Sequence, residues 1–169
     1  EIARRFNYFY APIFCEPQAK LSEVPALIGT DGRKMHKSYG NAIPLDTEEV
    51  ELRKMVKNMV TDPARIKKTD PGHPEVCTVF AYHKIFNKLE VEEIEEACKS
   101  AQIGCVDCKM RLADKLNEFL SPIREKRKIY SQNKTLTWGI LREGNKKARG
   151  EAQKTMEIVR EAMKLKIEM

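Results

Sequence analysis

From residue 45 to its end this chain carries apolar residues at helical intervals, and prolines interrupt that pattern at only a few points. A chain so patterned folds as stacked helices. Asp46 followed by Glu49 resembles a capping box at a helix start, and Val50, Leu52, Met55, Val56, Met59 and Val60 then form an apolar stripe that Asp62-Pro63 ends. The turn-rich stretch T-D-P-G-H-P (69–74) follows, with Pro74 placed to open the next helix. Val91, Ile94 and Cys98 line one face of a short acidic helix, and I-G-C-V-D-C (103–108) reads as a break. Leu112, Leu116, Phe119 and Ile123 mark a further helix in which Pro122 predicts a kink. A last long helix runs from Trp138 to about Met163, with Gly144, Ala148 and Ala152 leaving one face open to close approach.

The first 44 residues differ. Residues 1–10 read as a helix end. Ile13-Phe14 and Val24–Ile28 are short apolar runs set among Pro12, Pro17, Pro25 and Gly29, and they suit strands or strand-like loops. The helical spacing starts at once, without a lead-in, as in the middle of a longer protein. The predicted fold is mainly α: residues 1–44 are the last part of an α/β domain whose remaining sheet lies upstream, and residues 45–169 are a helical domain. Hydrophobic residues are 41% and charged residues 33%, with a net charge of +6, which suits a globular protein and permits contact with nucleic acid. No apolar run reaches the length of a bilayer span and no signal peptide is recognisable, so no membrane partner is expected and the cytoplasm is the predicted compartment.

Two clusters carry chemistry. In G-R-K-M-H-K-S-Y-G-N (32–41) three basic residues lie between two glycines. Lysine is a compact charge with rotatable donors, and two of them on a loop can close over a triphosphate and follow charge onto a leaving pyrophosphate. The alternative is a solvated basic turn. The second cluster is Cys77, Cys98, Cys105 and Cys108, spaced C-x20-C-x6-C-x2-C. In a cytoplasmic protein such spacing points to metal or redox use rather than disulfides. Structural zinc favours two close pairs, and only one is present; iron–sulfur clusters accept more varied spacing; four packed, unliganded thiols are the third possibility. Cys15 lies outside the pattern and is expected in the core. His73 and His83 are expected in a loop and on a helix surface, ranked below the thiols as ligands.

K-M-H-K-S resembles the K-M-S-K-S signature of class I aminoacyl-tRNA synthetases. V-P-A-L-I-G-T-D-G-R-K-M-H-K-S-Y-G-N-A-I-P-L, T-D-P-G-H-P-E-V-C-T-V-F-A-Y-H-K-I-F and E-F-L-S-P-I-R-E-K-R-K are together similar to the tryptophanyl-tRNA synthetase family, in that family's order. The resemblance implies a Rossmann-type nucleotide-binding domain ending near residue 44, a helical anticodon-binding domain after it, and a homodimeric ligase that uses ATP with Mg²⁺ to join tryptophan to its tRNA. Lys34 and Lys37 would act on the phosphates, Met35 would lie by the adenine through its backbone, and Ser38 would shape the loop. His36 stands where serine is usual, and a hydroxyl that bonds within the loop would be lost. No H-I-G-H-type signature is present, so this chain is expected to hold one wall of the site and to be inactive alone. Some bacterial members carry a [4Fe–4S] cluster at a similar cysteine pattern. Lys99, Lys109, Arg111, Arg124, Lys126, Arg127 and Lys128 are candidate RNA contacts, with Tyr82 and Tyr130 as stacking partners; the alternative for each is a solvated face. The rival readings are a non-enzymatic, metal-stabilised RNA-binding module and a tyrosyl-tRNA synthetase, the latter opposed by D-P-G-H-P-E-V-C-T-V-F-A-Y-H-K-I-F.

Overall fold

A computed structural model describes residues 1–21, 24 and 26–165 of the chain. The described residues form six α-helices: α1 (Ile2–Phe9), α2 (Glu49–Lys57), α3 (Thr78–Phe86), α4 (Val91–Lys99), α5 (Cys105–Gln132) and α6 (Lys134–Ala162). Single 3₁₀ turns occupy Lys37–Tyr39 and Pro74–Val76. Among the described residues there is no named strand, only an isolated antiparallel bridge between Ile28 and Lys34. The mainly helical class is as expected, and among the described residues the two extended runs are loops rather than paired strands. A strand persists only where a neighbour takes up its backbone donors and acceptors. Here other groups do so: the Asn7 side chain accepts from the N–H groups of Ile13 and Phe14 (3.1 and 2.9 Å), and the Ile28 carbonyl accepts from the Tyr82 hydroxyl at 2.7 Å. Pro25, part of the second extended run, lies outside the described residues.

The chain divides into two compact units. In the larger, residues 23–129, the core is built from Leu52, Val56 and Met59 after and along α2, from Val79, Phe80 and Tyr82 of α3, from Ile94 of α4, and from Leu112, Leu116 and Leu120 of α5. Leu52 and Val56, four residues apart, share one face of α2, and Met59 extends that buried line just past the helix end. Val50 falls off that face and Val60 lies beyond the helix end, so both are exposed, contrary to the predicted stripe. Asp46 is not the cap of α2 either. The helix starts from Glu48 with no side-chain cap bond, and Asp46 pairs instead with Arg127 at 3.1 Å. Glu49 and Glu51 in the first turn and Lys54 and Lys57 in the last complement the helix dipole.

Pro74 opens a 3₁₀ turn rather than α3, which begins after Cys77. The break between α4 and α5 is confined to residues 100–104, where Ala101 takes a left-handed conformation (φ 59°). Cys105 and Cys108 therefore belong to the first turns of α5, not to a loop. That helix continues past Pro122.

The smaller unit comprises residues 1–22 and 130–169. Asn7 ties α1 to the Pro12–Phe14 segment, and Phe6 packs against Tyr10 and Phe14 at 4.9 Å between ring centroids. α6 starts four residues earlier than predicted because Asn133 caps it, its side chain accepting from Leu136 N at 2.9 Å. Cys15, expected in the core, is exposed in this unit between two prolines that carry the chain along the surface. Among the described residues no helix is long and apolar enough to cross a membrane.

Candidate functional site

The basic loop is built around one buried amide. Gly29 N donates to Arg33 O at 2.7 Å and Gly32 N to Gly29 O at 2.9 Å, closing a tight turn in which Gly32 has φ +80°. Asn41, 2% exposed, lies beneath it. Its Nδ2 donates to Asp31 Oδ1 (2.9 Å) and to the Lys34 carbonyl (3.1 Å), and its Oδ1 accepts from His36 N (2.9 Å). Its backbone carbonyl accepts from Thr30 N at 2.9 Å. A Cβ at Gly29 would collide with the Asn41 side chain, so glycine there is a packing requirement. The backbone from 29 to 36 is thus held by a tight turn and by hydrogen bonds that converge on Asn41.

The three cations in this loop are not equivalent. Arg33 is committed: it pairs with Asp31 at 2.7 Å and lies over the Tyr39 ring at 5.1 Å. The Asn41 amide, the Arg33 backbone N–H and the Arg33 guanidinium together lower the Asp31 carboxyl to about 2. Lys34 and Lys37 are exposed, and among the described residues neither ammonium has a hydrogen-bonded or ion-paired partner. Met35 is half-buried against the core. Ser38 lies in the 3₁₀ turn that Gly40 ends with φ +66°, and its hydroxyl is 2.8 Å from His36 Nδ1. The intraloop bond expected to be lost with the usual serine is therefore replaced by one from the imidazole. Tyr82 anchors the loop base from α3 through Ile28. It is 1% exposed, burial raises its phenol to about 12, and it is closed to stacking with bases, contrary to expectation.

The four patterned cysteines form the second site. Cys77 lies between the 3₁₀ turn and α3, Cys98 in the last turn of α4, and Cys105 and Cys108 at the start of α5; all are free thiols. Burial raises the Cys98 thiol and pushes Cys108 up to about 12, and the other three sulfurs of the set add to this for Cys108. The sulfurs of Cys98 and Cys105 both lie within reach of one nitrogen, Arg65 Nη1, at 3.8 and 4.0 Å. The loop from 62 to 73 closes over them. Its ends are latched by Asp62, whose Oδ2 accepts from His73 N (2.9 Å) and lies 2.8 Å from His73 Nδ1. Burial opposes the Asp62 carboxylate, but the bonds from His73 and Ala64 N win and keep its pKa low. Gly72 N donates to Cys98 O at 3.0 Å, and a Cβ there would lie 2.5 Å from Cys98 Sγ.

His83 is not on the surface as expected. It is fully buried, with Nε2 3.1 Å from Cys108 O and 3.5 Å from Cys108 Sγ, and Nδ1 3.2 Å from Asn87 Nδ2. Burial lowers its pKa. The neutral ring donates from Nε2 to the carbonyl and accepts at Nδ1, so both nitrogens are in use. His73 is in a loop, as predicted, and serves the Asp62 latch.

Among the described residues no group of three or more His, Cys, Asp or Glu side chains is gathered tightly enough to hold a metal ion. Zinc binds thiolates at about 2.3 Å from one point, and the corner lacks that convergence. A cluster is held at separate irons, so its thiolates enclose a volume. These four free cysteines supply the all-thiol donor set that such a group takes.

The basic residues proposed for RNA are spread over the helical surface. Lys99 pairs with Glu95 (2.5 Å) and Arg111 with Glu93 (2.8 Å), and Lys109 Nζ donates to Lys57 O (2.9 Å). Arg124 donates to Thr47 O at 3.1 Å, and Tyr130 is exposed. Asn41, Gly72, Arg65 and the Asp62–His73 latch were not singled out by sequence reasoning. The only signal for them was position, next to the K-M-H-K-S and D-P-G-H-P stretches.

The family model described as tRNA synthetases class I (W and Y) matches residues 1–121. The chain is 52% identical over 167 residues to a tryptophan–tRNA ligase of Aquifex aeolicus, covering 98% of this chain and 42% of that protein. It is 50% identical to that of Thermotoga maritima, covering 98% and 51%. Its structure is similar to that of tryptophanyl-tRNA synthetase from Campylobacter jejuni complexed with ADP and tryptophan, with a TM-score of 0.78 and 31% identity, over 97% of this chain and 51% of that one. The chain thus spans about half the length of the relatives it matches.

Proposed function

The chain belongs to the class I tRNA synthetases of the tryptophan and tyrosine group, and on that premise we propose that it forms part of a tryptophan–tRNA ligase and supplies one side of its ATP site. The observation that carries the reading is a pair of ammonium groups without a partner among the described residues, Lys34 and Lys37, on a backbone pinned by Asn41. Identities of 50% and 52% to tryptophan ligases favour tryptophan over tyrosine. ATP enters with Mg²⁺. The carboxylate of tryptophan attacks the α-phosphorus, the bond to the β-phosphate oxygen breaks, and negative charge grows on the departing pyrophosphate. Lys34 and Lys37 stabilise that charge. They are free to do so because Asp31 takes Arg33 instead. Met35 places its backbone by the adenine, and Ser38, held by His36, fixes the turn that carries Lys37. The tryptophanyl group then passes from the adenylate to a hydroxyl of its tRNA.

Residues 1–44 complete the Rossmann-type domain and residues 45–169 form the anticodon-binding domain, in a cytoplasmic homodimer. Lys99, Lys109 and Arg111 present positive charge to tRNA phosphates, beyond the carboxylates that steady two of them. Cys77, Cys98, Cys105 and Cys108 are the residues to hold a [4Fe–4S] cluster, which when bound supplies a fixed cross-link among α3, α4 and α5. The activation chemistry needs no electrons, so the role is structural.

The test is ATP–pyrophosphate exchange by the full-length protein that contains this chain. Exchange dependent on tryptophan and not on tyrosine is the expected result. Exchange with tyrosine alone, or none with either, overturns the reading. The 169-residue chain by itself is expected to give none.

A further inference from the structure

The loop that covers the cysteine corner brings a cation to it. Arg65 Nη1 lies 3.8 Å from Cys98 Sγ and 4.0 Å from Cys105 Sγ. Its Nη2 donates to Lys68 O at 2.8 Å and to Ile103 O at 2.9 Å. The two carbonyls, one from its own loop and one from the α4–α5 break, fix the plane of the guanidinium and turn its other nitrogen toward the sulfurs. Among the described residues no carboxylate pairs with it. Lys68, another cation of the loop, pairs with Asp107 at 3.6 Å. The guanidinium is half-exposed, its plane is set by these two carbonyls, and the nitrogen facing the corner lies within reach of two sulfurs from different helices.

We propose that Arg65 is the built-in counter-ion of an anionic, cysteine-bound centre, donating N–H groups to the sulfurs of Cys98 and Cys105. This rests on the reading of the corner as a [4Fe–4S] site. Four thiolates around a cluster core leave the assembly negative, and nearby charge with hydrogen bonds to the sulfurs sets both its retention and its reduction potential. Arg65 is a positioning residue: it holds two ligands from different helices at a common distance from one charge.

Two variants separate charge from anchoring. Arg65→Gln keeps an N–H donor but removes the charge, and Arg65→Lys keeps the charge but loses the planar fork. The purified protein is reconstituted anaerobically with ferrous iron and sulfide. Iron per chain, the half-time of the visible absorbance under a ferrous chelator and the midpoint potential are then measured. Wild type is expected to hold about four irons per chain. R65Q is expected to bleach roughly tenfold faster, in the range that loss of an outer-sphere partner produces, and to shift the potential to more negative values. R65K is expected to stay near wild type in potential. Wild-type potential and bleaching in R65Q overturn the proposal while leaving the cluster reading intact. Equal shifts in R65Q and R65K also overturn it, because they trace the effect to the carbonyl anchors. If circular dichroism shows that R65Q does not fold, R65K alone decides, and a large shift there overturns the proposal. Wild-type protein without iron or visible absorbance overturns the cluster reading and this inference together.

Discussion

The basic loop and the cysteine corner solve opposite problems with the same core behind them. In the loop the backbone is fixed and the reactive side chains are left free: Asn41 takes up the peptide groups of Lys34 and His36, while the ammonium groups of Lys34 and Lys37 point at no partner among the described residues. In the corner the side chains themselves are turned inward, and a glycine, a latch and a guanidinium close over them. The first arrangement suits a ligand that arrives, changes charge and leaves. The second suits a group that stays. Free charge costs little at a solvated surface, whereas buried sulfur must be packed and balanced.

The contrast is broken most severely at Lys37. In the full-length protein Lys37→Ala is expected to slow tryptophan activation by about 10²–10³, with tryptophan affinity and overall stability unchanged; stopped-flow adenylate formation and equilibrium dialysis measure the two. An unchanged activation rate would remove the phosphate role from this residue.

Asn41→Ala attacks the other half of the loop's design. It deletes three side-chain bonds at about 1 kcal/mol each, so a loss near 3 kcal/mol is expected in urea unfolding. The same variant releases Asp31. In the native loop the Asp31 carboxyl titrates at about 2, below its ordinary value, so its contribution is whole above about 3.9 and is lost as pH falls through about 2. In Asn41→Ala the carboxyl resonance, followed by NMR, is expected to titrate closer to the ordinary range. A midpoint still at about 2 would show that Arg33 alone holds it.

Gly72→Ala tests whether the corner is packed as tightly as the loop is open. The added methyl meets Cys98 Sγ at 2.5 Å, and overpacking of this kind costs about 1–3 kcal/mol. Thermal unfolding reads that loss. The loop variant Lys37→Ala should show none, and equal destabilisation by both would erase the distinction between the regions.

The smallest effect is expected at His36. Serine there exchanges one hydrogen-bonding partner of Ser38 for another on an exposed turn, and such surface changes lie within about 0.5 kcal/mol. His36→Ser should leave both stability and the activation rate close to those of the parent protein, and a tenfold rate change would make the imidazole a functional group.

Helix content was legible because apolar spacing is local: Leu52 and Val56 announce the buried face of α2 without reference to any other element. The two chemical clusters were legible because their residue types are rare in such order. What escaped depended on contacts across long separations. Tyr82 reads as an available aromatic until the Ile28 carbonyl, 54 residues away, is seen to take its hydroxyl. His83 reads as a surface residue until Cys108 closes over it. Arg65 reaches Cys98 and Cys105 across 33 and 40 residues. Strand and strand-like loop could not be told apart for a related reason: extended segments are defined by partners, and here Asn7 and Tyr82 supply the bonds that a sheet would have made.

Tyr82 and His83 are consecutive, and each is bonded to a different site: one to the base of the basic loop, the other to the start of α5 beside Cys108. Adjacent helical residues point about 100° apart, so the rotational phase of α3 is read at two places at once. One residue inserted or deleted upstream in this helix would turn both side chains away together, because each residue rotates all that follow by about 100°. The segment between Cys77 and Tyr82, whose Val79 and Phe80 are core residues, is therefore fixed in number as well as in kind. The nine residues of α3 act as a spacer of fixed length, a ruler whose two marks are a phenol and an imidazole.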